Sequence, residues 1–163
     1  MRPWRPDDVD DLLIAHRDPL LRRWLQVPLA TGADARRWLD ARCEDWETGT
    51  RFSFAILTDG GDTPVGYIAV TPGSDANADV GYWTAAVARG RGVASRALEA
   101  VTGWAFDAHG PLAVSRLTLR HVAANRASCR VAEKCRYGLD SVLPPSPPDH
   151  PTEGHLHVRR PDD

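Results

Sequence analysis

The residues best placed to do chemistry form one short run, Arg89-Gly90-Arg91-Gly92-Val93-Ala94-Ser95. A strand-like segment, Asp79 to Thr84, precedes it, and a helical pattern from Val93 to about His109 follows. A glycine-rich turn that opens a helix presents several backbone N–H groups with no intrahelical acceptor. The helix dipole adds partial positive charge at the same end. Together they suit a phosphate or pyrophosphate group, with Arg89 and Arg91 able to add charge from the rim. A P-loop would need Gly-x-x-x-x-Gly-Lys-Ser/Thr, which the sequence lacks. A dinucleotide fingerprint would need a third glycine at position 95, where Ser95 stands. What is left is the pattern Arg-x-x-Gly-x-Ala, met by Arg89, Gly92 and Ala94. An ordinary strand-to-helix turn with a basic flank would look the same.

A second polar run, Asn125 to Lys134, lies one strand further on. Asn125 is a good helix N-cap, and the Ser128 hydroxyl could satisfy a backbone group at a helix start. For proton transfer, His121 at the end of a strand titrates near neutrality in its ordinary state. Asp79 and Tyr82 share the preceding strand, and all three also fit strand-end solvation or packing. His155 and His157 stand at i, i+2 on one strand face. A metal site there would need a third ligand such as His150 or His121; the expectation is a solvated or cleft-lining face and no metal. Cys43, Cys129 and Cys135 are odd in number and form no C-x-x-C pair. They read as reduced cysteines, with Cys129 and Cys135 as buried filler on a helix.

The elements that must position these residues follow from hydrophobic period. Met1 to Arg5 reads as a short strand. Pro6-Asp7-Asp8 starts a helix, with Leu12, Leu13, Leu20, Leu21, Trp24 and Leu25 as its apolar face, broken near Asp18-Pro19. Ala33 to Glu47 is a second helix, with Ala35, Trp38, Leu39 and Cys43 on one side and Gly49 suited to its end. The period then shortens. Arg51 to Leu57 and Pro64 to Thr71 read as strands joined at Asp59-Gly60-Gly61-Asp62, and Ala78 to Thr84 as the next. The helix from Val93 carries Ala94, Ala97, Leu98, Val101, Trp104 and Ala105 at helical spacing and stops at Gly110-Pro111. Ser115 to Val122 alternates as a strand, Arg126 to Lys134 is a short helix, and Tyr137 to Leu143 and Glu153 to Arg160 are strands. Prolines 144, 145, 147, 148 and 151 make the loop between those two too stiff to pair. The order gives a mixed, mostly antiparallel seven-stranded α/β (α+β) sheet flanked by about four helices, with a crossover helix after the fourth strand.

With 163 residues, one domain spanning 1–163 is expected. Hydrophobic content of 42% with 26% charged residues is that of a water-soluble globular chain. A net charge of −2 argues against a polyanion binder, so no nucleic acid is expected. No apolar run is long enough to span a membrane, and no basic stretch followed by an apolar one marks a secretory signal. A cytoplasmic location follows as an expectation.

Four segments together resemble the GNAT superfamily of N-acetyltransferases. Arg89, Gly92 and Ala94 match its coenzyme A pyrophosphate loop. Asn125-Arg126-Ala127-Ser128-Cys129-Arg130-Val131-Ala132-Glu133-Lys134 resembles its Asn-x-x-Ser/Ala-x-x-x-x-Glu-Lys pattern. Arg2-Pro3-Trp4-Arg5-Pro6-Asp7-Asp8 and Val80-Gly81-Tyr82-Trp83 resemble the opening and the fourth strand of the branch that acetylates ribosomal-protein N-termini. The likeness covers nearly the whole chain, in order. It implies acetyl-CoA as co-substrate, held by Arg89, Gly90, Arg91, Gly92, Val93, Ala94 and Ser95 at its pyrophosphate. It implies a pantetheine arm along the edge of Trp83, Thr84 and Ala85, with Asn125 and Ser128 as further contacts. The product would be an acetylated primary amine, made by direct transfer in a ternary complex. Ser128 would support the departing thiolate, and Asp79, through water, or His121 would take the amine proton. The sequence leaves a homodimer open.

Three departures stand out. Ala86 replaces a usual proline, Ala132 replaces the tyrosine that often serves as acid, and Arg136 replaces a glycine after the Glu-Lys pair. They support a rival reading, a catalytically weak acyl-CoA-binding sensor or scaffold. Small residues at Thr84, Ala85 and Ala86 would also leave room for longer acyl groups.

Overall fold

A computed structural model describes residues 1–25, 29–58, 60–112, 114–148 and 151–163 of the chain. In order, the elements are β1 (Arg2–Pro3), α1 (Val9–His16), α2 (Pro19–Trp24), α3 (Gly32–Thr48), β2 (Phe52–Leu57), β3 (Pro64–Pro72), β4 (Asn77–Thr84), α4 (Val93–Phe106), β5 (Arg116–Val122), α5 (Arg126–Lys134), β6 (Gly138–Leu143) and β7 (Gly154–Arg159). Short 3-10 turns, Pro6–Asp8 and Ala86–Ala88, precede α1 and follow β4. The seven strands hydrogen-bond in the order β1-β2-β3-β4-β5-β7-β6. The α/β class with a seven-stranded, mostly antiparallel sheet matches the sequence expectation. Among the described residues the helices number five against about four expected, because the first pattern breaks at Asp18, which caps α2 by accepting the Leu20 N–H at 2.9 Å. The turn residue Asp59 lies outside the described residues.

The chain divides into two compact units. The first comprises Met1–Ala69 and Tyr82–Ala97. Its core gathers Trp4, Leu12, Ala15, Leu21, Ala35, Leu39, Ala55 and Trp83. Trp4 meets Trp38 edge-on at 5.3 Å, and Tyr67 stacks on Trp83 at 6.1 Å. Helix α3 begins at a capping box in which the Thr31 hydroxyl accepts the Asp34 N–H, and ends at Gly49 with φ 69°. Cys43, expected on its apolar side, is exposed; the buried residues of α3 are Ala35 and Leu39. The acidic start of the first helix does more than answer the dipole. Asp8 takes two hydrogen bonds from the Arg2 guanidinium, at 2.7 and 2.8 Å, and a third from the Arg5 N–H at 2.8 Å. That fork ties β1 to the helix start. Gly66 on β3 is forced: a Cβ there would stand 2.7 Å from the Trp83 carbonyl oxygen.

The second unit comprises Val70–Gly81 and Leu98–Asp163. Strand β5 runs parallel to β4, pairing Asn77–Val80 with Arg116–Leu119, and helix α4 lies between the two in sequence as a crossover requires. Strand β7 pairs antiparallel with β5 on one side and β6 on the other. Leu98, Val101, Leu117, Leu119 and Tyr137 are buried. The Tyr137 hydroxyl bonds Thr102 Oγ1 at 2.6 Å, and burial pushes its pKa up. Helix α5 ends in the usual glycine-type turn although no glycine is present. Tyr137 N–H donates to the Ala132 carbonyl and Arg136 N–H to Glu133, with Arg136 at φ 57°. The departure from the family pattern is thus absorbed as strain of about 1 kcal/mol.

Candidate functional site

The glycine loop belongs to the first unit. After β4 the chain makes its 3-10 turn, extends at Arg89 (φ −70°, ψ 154°), and then takes positive φ at Gly90 (71°) and Gly92 (72°) on either side of Arg91. Two positive-φ residues this close favour glycine at both. Such alternation turns successive N–H groups toward one concavity. The Gly92 carbonyl accepts the first bond of α4, from Arg96 N–H at 3.1 Å. The N–H groups of the following turn therefore point out of the helix end. Val93 and Ser95 are buried and Ala94 half-buried, so this turn is anchored.

The two arginines expected as rim charges differ. The Arg89 guanidinium forms an ion pair with Asp18, where both side chains are largely buried. Burial alone would raise the Asp18 pKa; the bonds from Arg89 and from the Leu20 and Leu21 N–H groups hold it below the usual carboxylate range. Arg89 is thus engaged as a brace to Asp18. Arg91 is exposed, with Nη1 3.5 Å from the Val87 carbonyl. Sequence reasoning missed Arg96. One turn into α4, its Nη1 reaches back to the Arg91 carbonyl at 3.0 Å and fastens the loop. Its spacing of four from Gly92 was the available signal.

The edge expected of Trp83, Thr84 and Ala85 resolves by alternation. Ala85 N–H donates to the Val65 carbonyl at 2.8 Å, so it faces β3. Trp83, two residues back, points its backbone the same way and its side chain into the core. Period two turns the Thr84 N–H and C=O to the opposite edge. Of the three, Thr84 alone presents its main chain away from β3. Nearby, His16 is 4% exposed and edge-on to Trp83 at 5.6 Å. Its Nδ1 accepts the Leu29 N–H at 3.0 Å, its Nε2 is buried without a partner, and burial, with Arg22 adding, lowers its pKa to about 4.

The other candidate residues belong to the second unit. Asn125 caps α5, its Oδ1 accepting the Ser128 N–H at 3.3 Å. Ser128 is half-buried. Asp79 is exposed and engaged: the Thr118 hydroxyl donates to its Oδ1, and Arg120 Nη2 lies 3.7 Å from the same atom. His121 is half-buried. Its Nδ1 lies 2.9 Å from the Val122 carbonyl, which can only accept, so Nδ1 carries the proton. Burial holds the His121 pKa below the ordinary value; the Val122 bond opposes this and the charges of His157 and His155 add to it.

His155 and His157 do not form the solvated face that was one of the two expectations. His155 is paired across from His121 in the β5–β7 register. His157 is only 1% exposed, so the face is not a solvated one. The His157 Nδ1 lies 3.2 Å from the Tyr137 carbonyl, and its Nε2 is buried without a partner. The three rings have centroids 5.2 to 6.1 Å apart. Cys129, expected as buried filler, is half-buried, with Sγ 3.2 Å from His155 Nδ1 and 3.6 Å from His121 Nε2. Cys135 is fully buried, as expected. His150 lies outside the described residues.

Comparison with known proteins bears on the whole chain. The family model described as an acetyltransferase (GNAT) domain matches residues 1–137. No curated protein matches the sequence. Among solved structures, a ribosomal-protein-S5-alanine acetyltransferase from Vibrio fischeri is similar at 16% identity, covering 99% of this chain and 92% of the other, with a TM-score of 0.83. The Mycobacterium smegmatis protein RimJ, in complex with a coenzyme A disulfide, is 19% identical over 99% of this chain and 81% of the other, with a TM-score of 0.85. The microcin C7 self-immunity acetyltransferase MccE, in complex with acetyl-CoA and AMP, is 14% identical over 96% and 88%, with a TM-score of 0.84. At these identities the three show a common fold. Among the described residues no helix is long and apolar enough to cross a membrane.

Proposed function

The chain belongs to the GNAT family of acetyltransferases, enzymes that draw on acetyl-CoA, and from that premise we propose that it moves the acetyl group to a primary amine by direct transfer in a ternary complex. The amine is a protein N-terminus or a small molecule, the reaction takes place in the cytoplasm, and residues 1–163 act as one catalytic domain. The observation that carries this reading is the pair of positive-φ glycines, Gly90 and Gly92, opening α4. They make a backbone cradle suited to a pyrophosphate, and Arg91 supplies charge at its rim.

Each chemical requirement has a candidate. The Thr84 main chain pairs with the pantetheine amide as an added strand would. Asn125 and Ser128 are, by the family pattern, further coenzyme A contacts, and the Ser128 hydroxyl supports the thiolate as it leaves. The incoming amine must be neutral. Between the two candidate bases, His121 is favoured over Asp79, because its depressed pKa keeps Nε2 unprotonated at neutral pH while Thr118 and Arg120 occupy the Asp79 carboxylate. The pH profiles of His121→Gln and Asp79→Asn separate them. The His121 variant should lose the acidic limb of the rate profile and the Asp79 variant should keep it. Unchanged profiles in both would leave the amine's own ionisation in control.

The test of the whole reading is release of free thiol from acetyl-CoA against a panel of amines and peptide N-termini. Acceptor-dependent release supports it. Coenzyme A binding without any release above slow hydrolysis would favour the sensor or scaffold alternative, whose support is Ala132 in the place of the helix tyrosine. A burst of thiol before acceptor is added would indicate an acyl-enzyme on Cys129 and overturn direct transfer.

A further inference from the structure

We propose that His121, Cys129, His155 and His157 form a tetrahedral transition-metal site of three imidazoles and one thiolate, with zinc as its natural ion. One ligating atom from each of these residues lies within 4.8 Å of every other. They come from three elements, β5, α5 and β7, all within the second unit. Zinc bonds of about 2.0–2.1 Å to nitrogen and about 2.3 Å to sulfur set a nitrogen–sulfur edge of about 3.6 Å in a tetrahedron. Cys129 Sγ lies 3.6 Å from His121 Nε2 and 3.2 Å from His155 Nδ1. The longer edges close by rotation of Cys129 and His155, both half-buried.

The surroundings of the rings fit a ligand role better than simple packing. Metal-bound histidines commonly donate their second ring N–H to a carbonyl, which fixes the tautomer and aims the other nitrogen. His121 Nδ1 does this to Val122 and His157 Nδ1 to Tyr137. That leaves Nε2 as a bare lone pair on each. On His121 it faces the thiol. On His157 it is buried with no partner in a residue 1% exposed. An unsatisfied buried acceptor destabilises the fold, and a cation removes that cost. Two strand residues and a helix residue that converge around an orphaned lone pair form a built arrangement. Its donors are borderline to soft, which selects zinc, cobalt or copper over magnesium or calcium. Binding takes the Cys129 thiol to thiolate, with its proton released to solvent. A filled site takes the His121 lone pair, so His121 can act as proton acceptor only in the metal-free chain, and in the metal-loaded chain Asp79 through water is the remaining candidate.

The experiment uses the full chain, stripped with chelator, checked as folded by circular dichroism, and titrated with cobalt(II). The expected result is one equivalent bound, with the intense visible bands of tetrahedral cobalt and a near-ultraviolet thiolate-to-cobalt charge-transfer band. Zinc should bleach both. Cys129→Ser should abolish the charge-transfer band. His155→Ala, at a half-buried position that the fold tolerates more readily than His157, should weaken cobalt binding by roughly tenfold to a hundredfold. Failure of the folded protein to bind cobalt or zinc at micromolar concentration would overturn the proposal. So would a weak octahedral spectrum, or binding indifferent to both substitutions; each would leave the cluster a thiol–imidazole hydrogen-bond network.

Discussion

Two regions of the molecule carry its candidate chemistry, and they are built in opposite ways. The turn from Arg89 to Ser95 is made of backbone: two left-handed glycines and a helix end, braced from outside by Arg96 and by the Arg89–Asp18 pair. The α5 region with its facing strands is made of side chains: a capped helix start at Asn125, Ser128 beside it, and a thiol among three imidazoles. A backbone site should survive loss of a side chain and fail when its dihedral angles are disturbed. A side-chain site should do the reverse. The lesson is that one protein can be robust to truncation at one site and brittle at another.

The largest effect should come from the side-chain region. Ser128→Ala is expected to lower kcat by roughly tenfold to a thousandfold, the range of a single acid or donor group. Acetyl-CoA affinity should barely move, because the Asn125 cap holds the Ser128 backbone N–H, which alanine keeps. If affinity falls and kcat at saturation does not, Ser128 only binds.

In the loop, Gly92→Val should weaken coenzyme A binding by about a hundredfold. A β-branched residue does not settle at φ 72°, and the loop must rearrange or bear strain of order 1–3 kcal/mol. Calorimetry on the folded variant is the measurement, and undiminished affinity would end the backbone account.

His16 is the control for the cluster, a buried imidazole with an unpartnered nitrogen that is not one of its members. It should show proton linkage alone. Its folded pKa of about 4 lies below the ordinary value, so the native state stays neutral while the unfolded chain takes a proton. The penalty is absent above the ordinary pKa and grows as pH falls toward 4. Wild type should lose about 2 kcal/mol more stability between pH 7 and pH 5 than His16→Asn, which offers Leu29 an oxygen and cannot titrate. Parallel urea-unfolding curves at the two pH values would contradict this.

The smallest effect sharpens the contrast most. Arg91→Ala should weaken coenzyme A only about threefold to tenfold, with most of the loss vanishing in high salt. A loss matching that of Gly92→Val would move the site from main chain to side chain.

The same division explains what could be read beforehand. The loop was legible because consecutive residues specify it, and so were the strands and helices, since period and punctuation are local. The helix end at Arg136 was legible as a conflict between pattern and residue, to be met by a different turn or by strain, and the positive φ at Arg136 is the strained outcome. The cluster was legible only in part: the i, i+2 histidines and His121 as a possible third ligand could be named, the fourth member Cys129 could not. Cys129 and His155 are 26 positions apart, and only the β5–β7 register sets His155 opposite His121. The pairing of Arg89 with Asp18 was hidden for the same reason. Neither neighbour sequence nor composition reports which distant charge an arginine meets.

Gly66 bears on how this sequence can drift over generations. A Cβ at that position would collide with a backbone oxygen, at 2.7 Å, and not with the tip of a side chain that could swing aside. Substitution by alanine, the gentlest step available, already demands that two strands separate. The oxygen belongs to Trp83, one residue before Thr84 on the strand that leads into the glycine loop. A lineage that lost this glycine would have to reinvent the approach to the loop in the same step. In a saturation library, codon 66 should accept almost no replacement, while Gly81 and Gly103, with nothing in reach of an added carbon, are free to wander.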